Sequence, residues 1–374
     1  MKYYIIAGEA SGDLHASNLI KELRKKDPEG EFRAWGGDLM EAAGAHLVKH
    51  YRDLAFMGFV EVLLNLFTIL RNISFCKKDI QSFNPDVIIF IDYPGFNLRI
   101  AKWAKERNLK THYYISPQIW AWKEGRIKRI KRDVDRMYVI LPFEKDFYEK
   151  KHNMPVDFVG HPLIDAISDR PLIAPGEFQK NNGLDQRPII ALLPGSRKQE
   201  IRKMLRVMIS VVEDFPEYQF VIAGAPSVDK SFYNEFITND RVHLLLNKTY
   251  DLLSVSYAAL VTSGTATLET ALFKVPQVVC YTGSRISYEI AKRVIKLKYI
   301  SLVNLILDKP VVTELIQSDF NKTRLQDELH IILDPYKRAT LFLEYYDLEQ
   351  ALGGKGASKK TAGLIYQRIQ PEAE

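Results

Sequence analysis

The sequence predicts an α/β protein built from two doubly wound parallel-sheet domains. Short apolar runs alternate with amphipathic stretches along both halves of the chain, and small-residue turns follow several of the runs and open helices. The stretch Asp86-Val87-Ile88-Ile89-Phe90-Ile91 is apolar almost without break, as a central parallel strand covered on both faces requires. At 374 residues the chain exceeds one ordinary core, so two domains are the default expectation.

Taken in order, residues 2–7 read as the first strand and 15–26 as a helix, with Gly8-Glu9-Ala10-Ser11-Gly12-Asp13 between them. Strands follow at 31–35, 86–91, 110–115, 137–140 and 156–159, with a helix over 98–107. Residues 168–187 interrupt this rhythm with Pro171, Pro175, Gly176, Asn181, Asn182 and Gly183, and read as the linker after a first domain at 1–167. A second domain over 188–345 resumes the alternation, with strands at 189–193, 218–223, 242–245, 258–261 and 277–281. The stretch from about 321 to 369 reads as helical, broken at Gly353-Gly354.

Composition narrows the class. Hydrophobic content of 47% with 26% charged residues is that of a soluble globular chain. The 2 cysteines, Cys76 and Cys280, offer neither a disulfide framework nor metal-ligand spacing, which favours a reducing compartment. The apolar start is too short for a signal peptide, so a cytoplasmic location is expected. The net charge of +6 is concentrated between Lys123 and Arg136. That cluster suits nucleic acid, anionic lipid or a phosphorylated substrate, and equally a solvated helix face. Residues 55–70 are apolar save Glu61, Asn65 and Thr68, too short and too charged to span a bilayer. They read either as a buried helix or as an apolar surface touching a membrane or acyl chain. The basic cluster, by holding lipid headgroups, tilts the reading towards a membrane surface.

Turns after strands carry the candidate chemistry. Leu193-Pro194-Gly195-Ser196-Arg197 and Ser263-Gly264-Thr265-Ala266-Thr267-Leu268-Glu269 each follow an apolar strand and open a helix. Helix starts leave backbone N–H groups unpaired, so these turns suit a nucleotide diphosphate, with Arg197 and hydroxyls for the phosphates and Glu269 for ribose. The Gly8–Asp13 turn matches neither the Walker A nor the dinucleotide pattern. It either shapes a pocket with Glu9, Ser11, Gly12 and Asp13, or is a tight turn capped by Ser11 or Asp13. Asp92, at the end of the central strand, is placed to act as a general base on a hydroxyl, its other reading being a helix cap. Trp120 and Trp122 lead into the basic cluster and read as a sugar-phosphate grip or as core. His161, in Gly160-His161-Pro162, reads as a phosphate donor, a titrating group or a structural histidine.

The chain resembles the bacterial lipid-A-disaccharide synthases over essentially its whole length. The resemblance is carried by Ala7-Gly8-Glu9-Ala10-Ser11-Gly12-Asp13, Ser116-Pro117-Gln118-Ile119-Trp120-Ala121-Trp122, Leu141-Pro142-Phe143-Glu144, Gly160-His161-Pro162, Leu193 to Arg197, Ser263 to Glu269 and Ser301-Leu302-Val303-Asn304, in that order. It implies a two-domain, Rossmann-like GT-B fold around a cleft, with residues 346–374 returning to the first domain. It also implies an inverting glycosyltransferase that joins UDP-2,3-diacylglucosamine to 2,3-diacylglucosamine 1-phosphate, without metal or cofactor, in lipid A biosynthesis. Site residues carried over are Gly195, Ser196, Arg197 and Ser263, Gly264, Thr265, Ala266 and Thr267 for the diphosphate. Glu269 is carried over for ribose, Asn304 as a residue lining the cleft, and Asp92 as the base. The family loop reads Asp-Ala-Pro-Asp-Phe-Asn, whereas this chain has Asp92-Tyr93-Pro94-Gly95-Phe96-Asn97, so its second acid is absent. Glu9 and Asp13 are the alternative bases. Both substrates are acylated, so a peripheral site on the inner face of the inner membrane is expected, without nucleic acid and with a homodimer left open. The rival readings are a UDP-sugar epimerase on a soluble substrate and a non-catalytic adaptor built on the basic patch.

Overall fold

The computed structural model describes residues 1–53, 66–237, 239–283 and 298–370. The chain divides into two compact units, Met1–Ser168 with Leu352–Glu374, and Asp169–Ala351. The expected α/β class, two doubly wound sheets followed by C-terminal helices, is the one observed.

The first unit holds a seven-stranded sheet in the order β3-β2-β1-β4-β5-β6-β7. Its strands are β1 (Lys2–Ala7), β2 (Glu31–Gly36), β3 (His46–His50), β4 (Val87–Ile91), β5 (Thr111–Tyr114), β6 (Arg136–Val139) and β7 (Asp157–Phe158). All pairings are parallel, and β1 aligns with β4 so that Ala7 sits beside Ile91. The apolar run of β4 is buried throughout, which is why it takes a central place. Strand order reverses between β1 and β4, so the turns after these two strands lie at the topological switch point, where such sheets bind ligands.

The second unit repeats the scheme with six strands, β10-β9-β8-β11-β12-β13. These are β8 (Ile189–Leu193), β9 (Gln219–Gly224), β10 (Val242–Leu246), β11 (Ala258–Thr262), β12 (Gln277–Tyr281) and β13 (Glu314–Ile316). Its switch point lies between β8 and β11, whose side chains are fully buried. Two strands escaped the sequence reading, β3 and β13. Both are edge strands with partly exposed, polar-interrupted sequences, so they lack the apolar signature of a central strand. The stretch read as linker contains a helix, Pro175–Asn181, within the second unit.

The chain re-enters the first unit at Leu352, and the helix Ala357–Ile369 packs on the helix Ala10–Lys26. The Gly160-His161-Pro162 motif receives this return. The His161 N–H donates to the Leu352 carbonyl at 3.0 Å, and the buried Asp165 carboxylate accepts the Gly356 and Ser358 N–H groups at 2.6 and 3.0 Å. Arg368 clasps Asp157 with both terminal nitrogens of its guanidinium.

Of the apolar stretch 55–70, residues 55–65 lie outside the described residues. The helix Leu66–Phe83 begins at its end. A network of Arg33, Asp79, Tyr4 and Trp35 ties that helix to β1 and β2: Tyr4 donates to Asp79 at 2.7 Å and the Trp35 indole to Tyr4 at 2.8 Å. Among the described residues no helix is long and apolar enough to cross a membrane.

Candidate functional site

In the first unit the switch point places Glu9 and Asp92 on neighbouring turns. The turn after β4 is unusual: Asp92 and Tyr93 both adopt left-handed backbone, with φ of 41° and 49°. It is over-determined by its surroundings. The Asp92 carbonyl accepts hydrogen bonds from the Tyr113 hydroxyl and, at 2.7 Å, from the Asn97 amide, while the Asp92 N–H donates to Tyr114. Asn97 therefore braces the turn from within the helix Pro94–Lys105. The Tyr93 ring lies flat on Gly8, where a Cβ would meet the ring at 2.3 Å, so a backbone without a side chain is needed there.

This clamp fixes the Asp92 carboxyl in a partly buried position near Glu9. Burial raises its pKa to about 6, the Glu9 charge adds to the rise, and the Tyr93 N–H opposes it. A carboxyl titrating near 6 is ionised at neutral pH yet basic enough to take a proton from a hydroxyl. Gly95 has open space around it and supplies no acid.

Two other residues of this unit have structural roles in place of the chemistry read from the sequence. The Asp13 carboxylate is buried and accepts from the Gly37, Leu39 and Met40 N–H groups, at 2.8, 3.2 and 3.1 Å. It caps the helix Asp38–Ala42, leaving Glu9 as the second acid at the turn. His161 is buried, accepts the Leu163 N–H at its Nδ1, and is pushed down to about 3 by burial and by His15. It stays neutral and joins the docking of the returning chain. Ser11 is exposed on the first turn of its helix, and Gly12 packs closely on Ala7.

Of the two tryptophans, Trp120 donates its indole N–H to the buried Glu144 at 3.2 Å. Glu144 also accepts from the Ile140 and Leu141 N–H groups, and burial raises its pKa to about 7. Trp122 is 48% exposed, with Lys123 and Arg126 over its ring at 4.1 and 5.7 Å.

The second unit holds a cavity of about 490 Å³ at the carboxyl ends of β8, β9 and β11. Its walls include Gly195, Ser196 and Arg197 after β8, and Ser263, Gly264, Thr265 and Ala266 after β11, with Glu269 one turn deeper. The two turns named from the sequence thus converge on one cavity at the switch point, each feeding a helix start. The helices concerned are Lys198–Ile209 and Thr265–Leu272. Glu269 accepts the Tyr250 hydroxyl at 2.8 Å, and burial raises its pKa. Arg197 is exposed with no side-chain partner among the described residues.

Thr267 and Asn304 do not join this wall. The Thr267 hydroxyl is buried and donates to the Gly264 carbonyl at 2.8 Å, holding the helix start. The Asn304 amide donates to Val312 and Glu314 at 2.9 Å each and accepts the Val312 N–H, which fixes the segment ahead of β13. Conversely, the cavity includes residues that no motif flagged, Glu200, Thr249 and the Gly224-Ala225-Pro226 turn, beside Thr262 at the end of β11, where the second small-residue motif begins and whose buried hydroxyl is unpartnered. Only their position after a sheet strand, or one turn from a flagged residue, could have indicated them. Among the described residues no group of three or more His, Cys, Asp or Glu side chains is arranged to hold a metal.

Among solved structures, UDP-GlcNAc 2-epimerase from Neisseria meningitidis bound to UDP-GlcNAc superimposes with a TM-score of 0.71 at 14% identity, covering 98% of this chain and 100% of that one. The S. aureus MnaA–UDP co-structure gives 0.68 at 13% identity, covering 100% and 98%. At such identities the likeness is one of fold alone. Sequence similarity is more specific. The lipid-A-disaccharide synthase of Syntrophus aciditrophicus is 40% identical over 375 residues, 98% of this chain and 97% of the relative. That of Geobacter metallireducens is 39% identical over 373 residues, 98% and 96%, and that of Coxiella burnetii 36% over 371 residues, 98% of each. The lipid-A-disaccharide synthetase family itself matches residues 3–360. The epimerase reading thus gives way, its support being confined to the shared fold, and the chain belongs to the lipid-A-disaccharide synthase family.

Proposed function

We propose that this glycosyltransferase joins a 2,3-diacylglucosamine unit from its UDP donor to 2,3-diacylglucosamine 1-phosphate, giving the disaccharide 1-phosphate and UDP with inversion. The observation that carries the reading is the convergence of both small-residue turns on one cavity at the switch point of the second unit. In this reading the Gly195–Arg197 turn and the residues Ser263 to Ala266 hold the diphosphate, and Glu269 holds ribose hydroxyls. The acceptor 6-hydroxyl attacks the anomeric carbon as the bond to UDP breaks. Asp92 takes the hydroxyl proton, and Glu9 keeps that carboxyl basic. The charge leaving on UDP is met by Arg197 and the helix-start N–H groups.

Acylated substrates reside at a membrane, and the first unit offers a surface suited to one. Phe67 is 88% exposed and Leu70 and Phe75 are exposed on the helix Leu66–Phe83. Trp122, Lys123, Arg126, Lys128 and Arg129 add an aromatic and basic surface suited to anionic headgroups. We place the chain on the inner face of the inner membrane without a span. The test is transfer of labelled diacylglucosamine from UDP by purified protein, beside UDP-GlcNAc as an epimerase substrate. Disaccharide formation is expected. Epimerised UDP-sugar without disaccharide would overturn the assignment.

A further inference from the structure

The cavity of the second unit contains an acidic group to which the donor-binding roles give no task. Glu200 stands on the first turn of the helix Lys198–Ile209, three residues beyond Arg197, and lines the cavity. Its carboxylate folds back over the preceding turn, where Oε2 accepts the Ser196 backbone N–H at 3.4 Å. It lies so near Gly195 that a Cβ built there would meet Oε2 at 2.3 Å. Gly195 itself has φ of 100°, so conformation and contact both call for glycine. Backbone N–H groups of a turn leading into a helix start form a concavity that an incoming phosphate oxygen occupies. Here a carboxylate of the chain already occupies it.

We infer that Glu200 is an internal occupant of the diphosphate cradle, a positioning residue that holds the Gly195–Ser196 turn in its binding shape and yields the Ser196 N–H to the donor's phosphates. The inference rests on the donor-pocket reading above. Carboxylate and diphosphate carry charge of the same sign, so entry of the phosphates requires Glu200 to release Ser196 and turn away. The empty turn is thereby kept from collapsing onto Arg197. Product UDP is also held less tightly than an unopposed cradle would hold it, which favours its release.

Titration calorimetry on the full chain, with UDP and with uridine as probes, separates the alternatives. Glu200→Gln keeps an oxygen able to accept from Ser196 but removes the charge. Glu200→Asp keeps the charge but is one methylene shorter. Glu200→Gln is expected to bind UDP about fivefold more tightly than wild type, the scale of two unit charges about 4 Å apart in water. Its uridine affinity should be unchanged, since uridine brings no phosphate. Glu200→Asp is expected to bind UDP no more tightly than wild type. A Glu200→Gln protein with a wild-type thermal melt that binds UDP equally or more weakly would overturn the inference, as would equal tightening of UDP and uridine. Wild-type protein that failed to bind UDP would overturn the donor-pocket reading, and this inference with it.

Discussion

Asp92→Asn separates chemistry from folding in one substitution. The folded carboxyl keeps its proton up to about pH 6, against an ordinary value of 3.8, because burial disfavours the anion and Glu9 repels it. Between those values the folded chain binds the proton more tightly than the unfolded chain does. Stability therefore falls as pH rises from 3.8 through about 6, and stays reduced above it. At about 1.4 kcal/mol per unit, the loss is roughly 3 kcal/mol. Asparagine carries no charge to desolvate, and it tolerates the left-handed backbone that a φ of 41° imposes. The variant should accordingly be more stable than wild type by about 2–3 kcal/mol at pH 8 and by little at pH 4, read from urea unfolding midpoints. Transfer should fall by about 10²–10⁴, the usual contribution of a general base. In wild type, kcat/KM should rise with pH and level off above about 6, tracking ionised Asp92. A folded variant with wild-type transfer, or a stability gain equal at pH 4 and pH 8, would refute the reasoning.

Three further expectations follow from other parts of the molecule. Arg197→Ala should weaken UDP binding by about tenfold or more, the worth of a charge-assisted hydrogen bond, with an unchanged melt because the guanidinium has no described partner. Titration calorimetry beside a thermal scan checks both halves. Asp165→Ala should cost about 2–4 kcal/mol by leaving the Gly356 and Ser358 N–H groups unsatisfied, seen as a lower denaturant midpoint and earlier proteolytic release of the C-terminal helix. Gly8→Ala should push the Tyr93 ring aside and carry the Asp92 turn with it, lowering transfer about tenfold or more while UDP affinity holds. Equal loss of UDP binding in that variant would show a global defect.

The sequence by itself determined the α/β class, the buried central strands and the two small-residue turns that line one cavity, because each is written in contiguous residues. Ile189–Leu193 and Ala258–Thr262 are apolar runs with a covered sheet on both sides, and the small residues after them leave helix-start N–H groups accessible. Asp92 was equally legible, as an acid ending the most apolar strand. Its pKa was not, since burial and the Glu9 charge arise only when β1 and β4 lie side by side. Tertiary structure alone decided the roles of Asp13, His161, Thr267 and Asn304. A polar side chain has the same local pattern whether it faces a ligand or satisfies a backbone group, and the partner of Asp13 lies on the turn after a different strand. The same holds for Gly160-His161-Pro162, whose partners arrive from Leu352 onward, far along the chain. The edge strands β3 and β13 were lost for a related reason: a strand paired on one side and partly wet carries no continuous apolar run, so only its neighbour in the sheet reveals it.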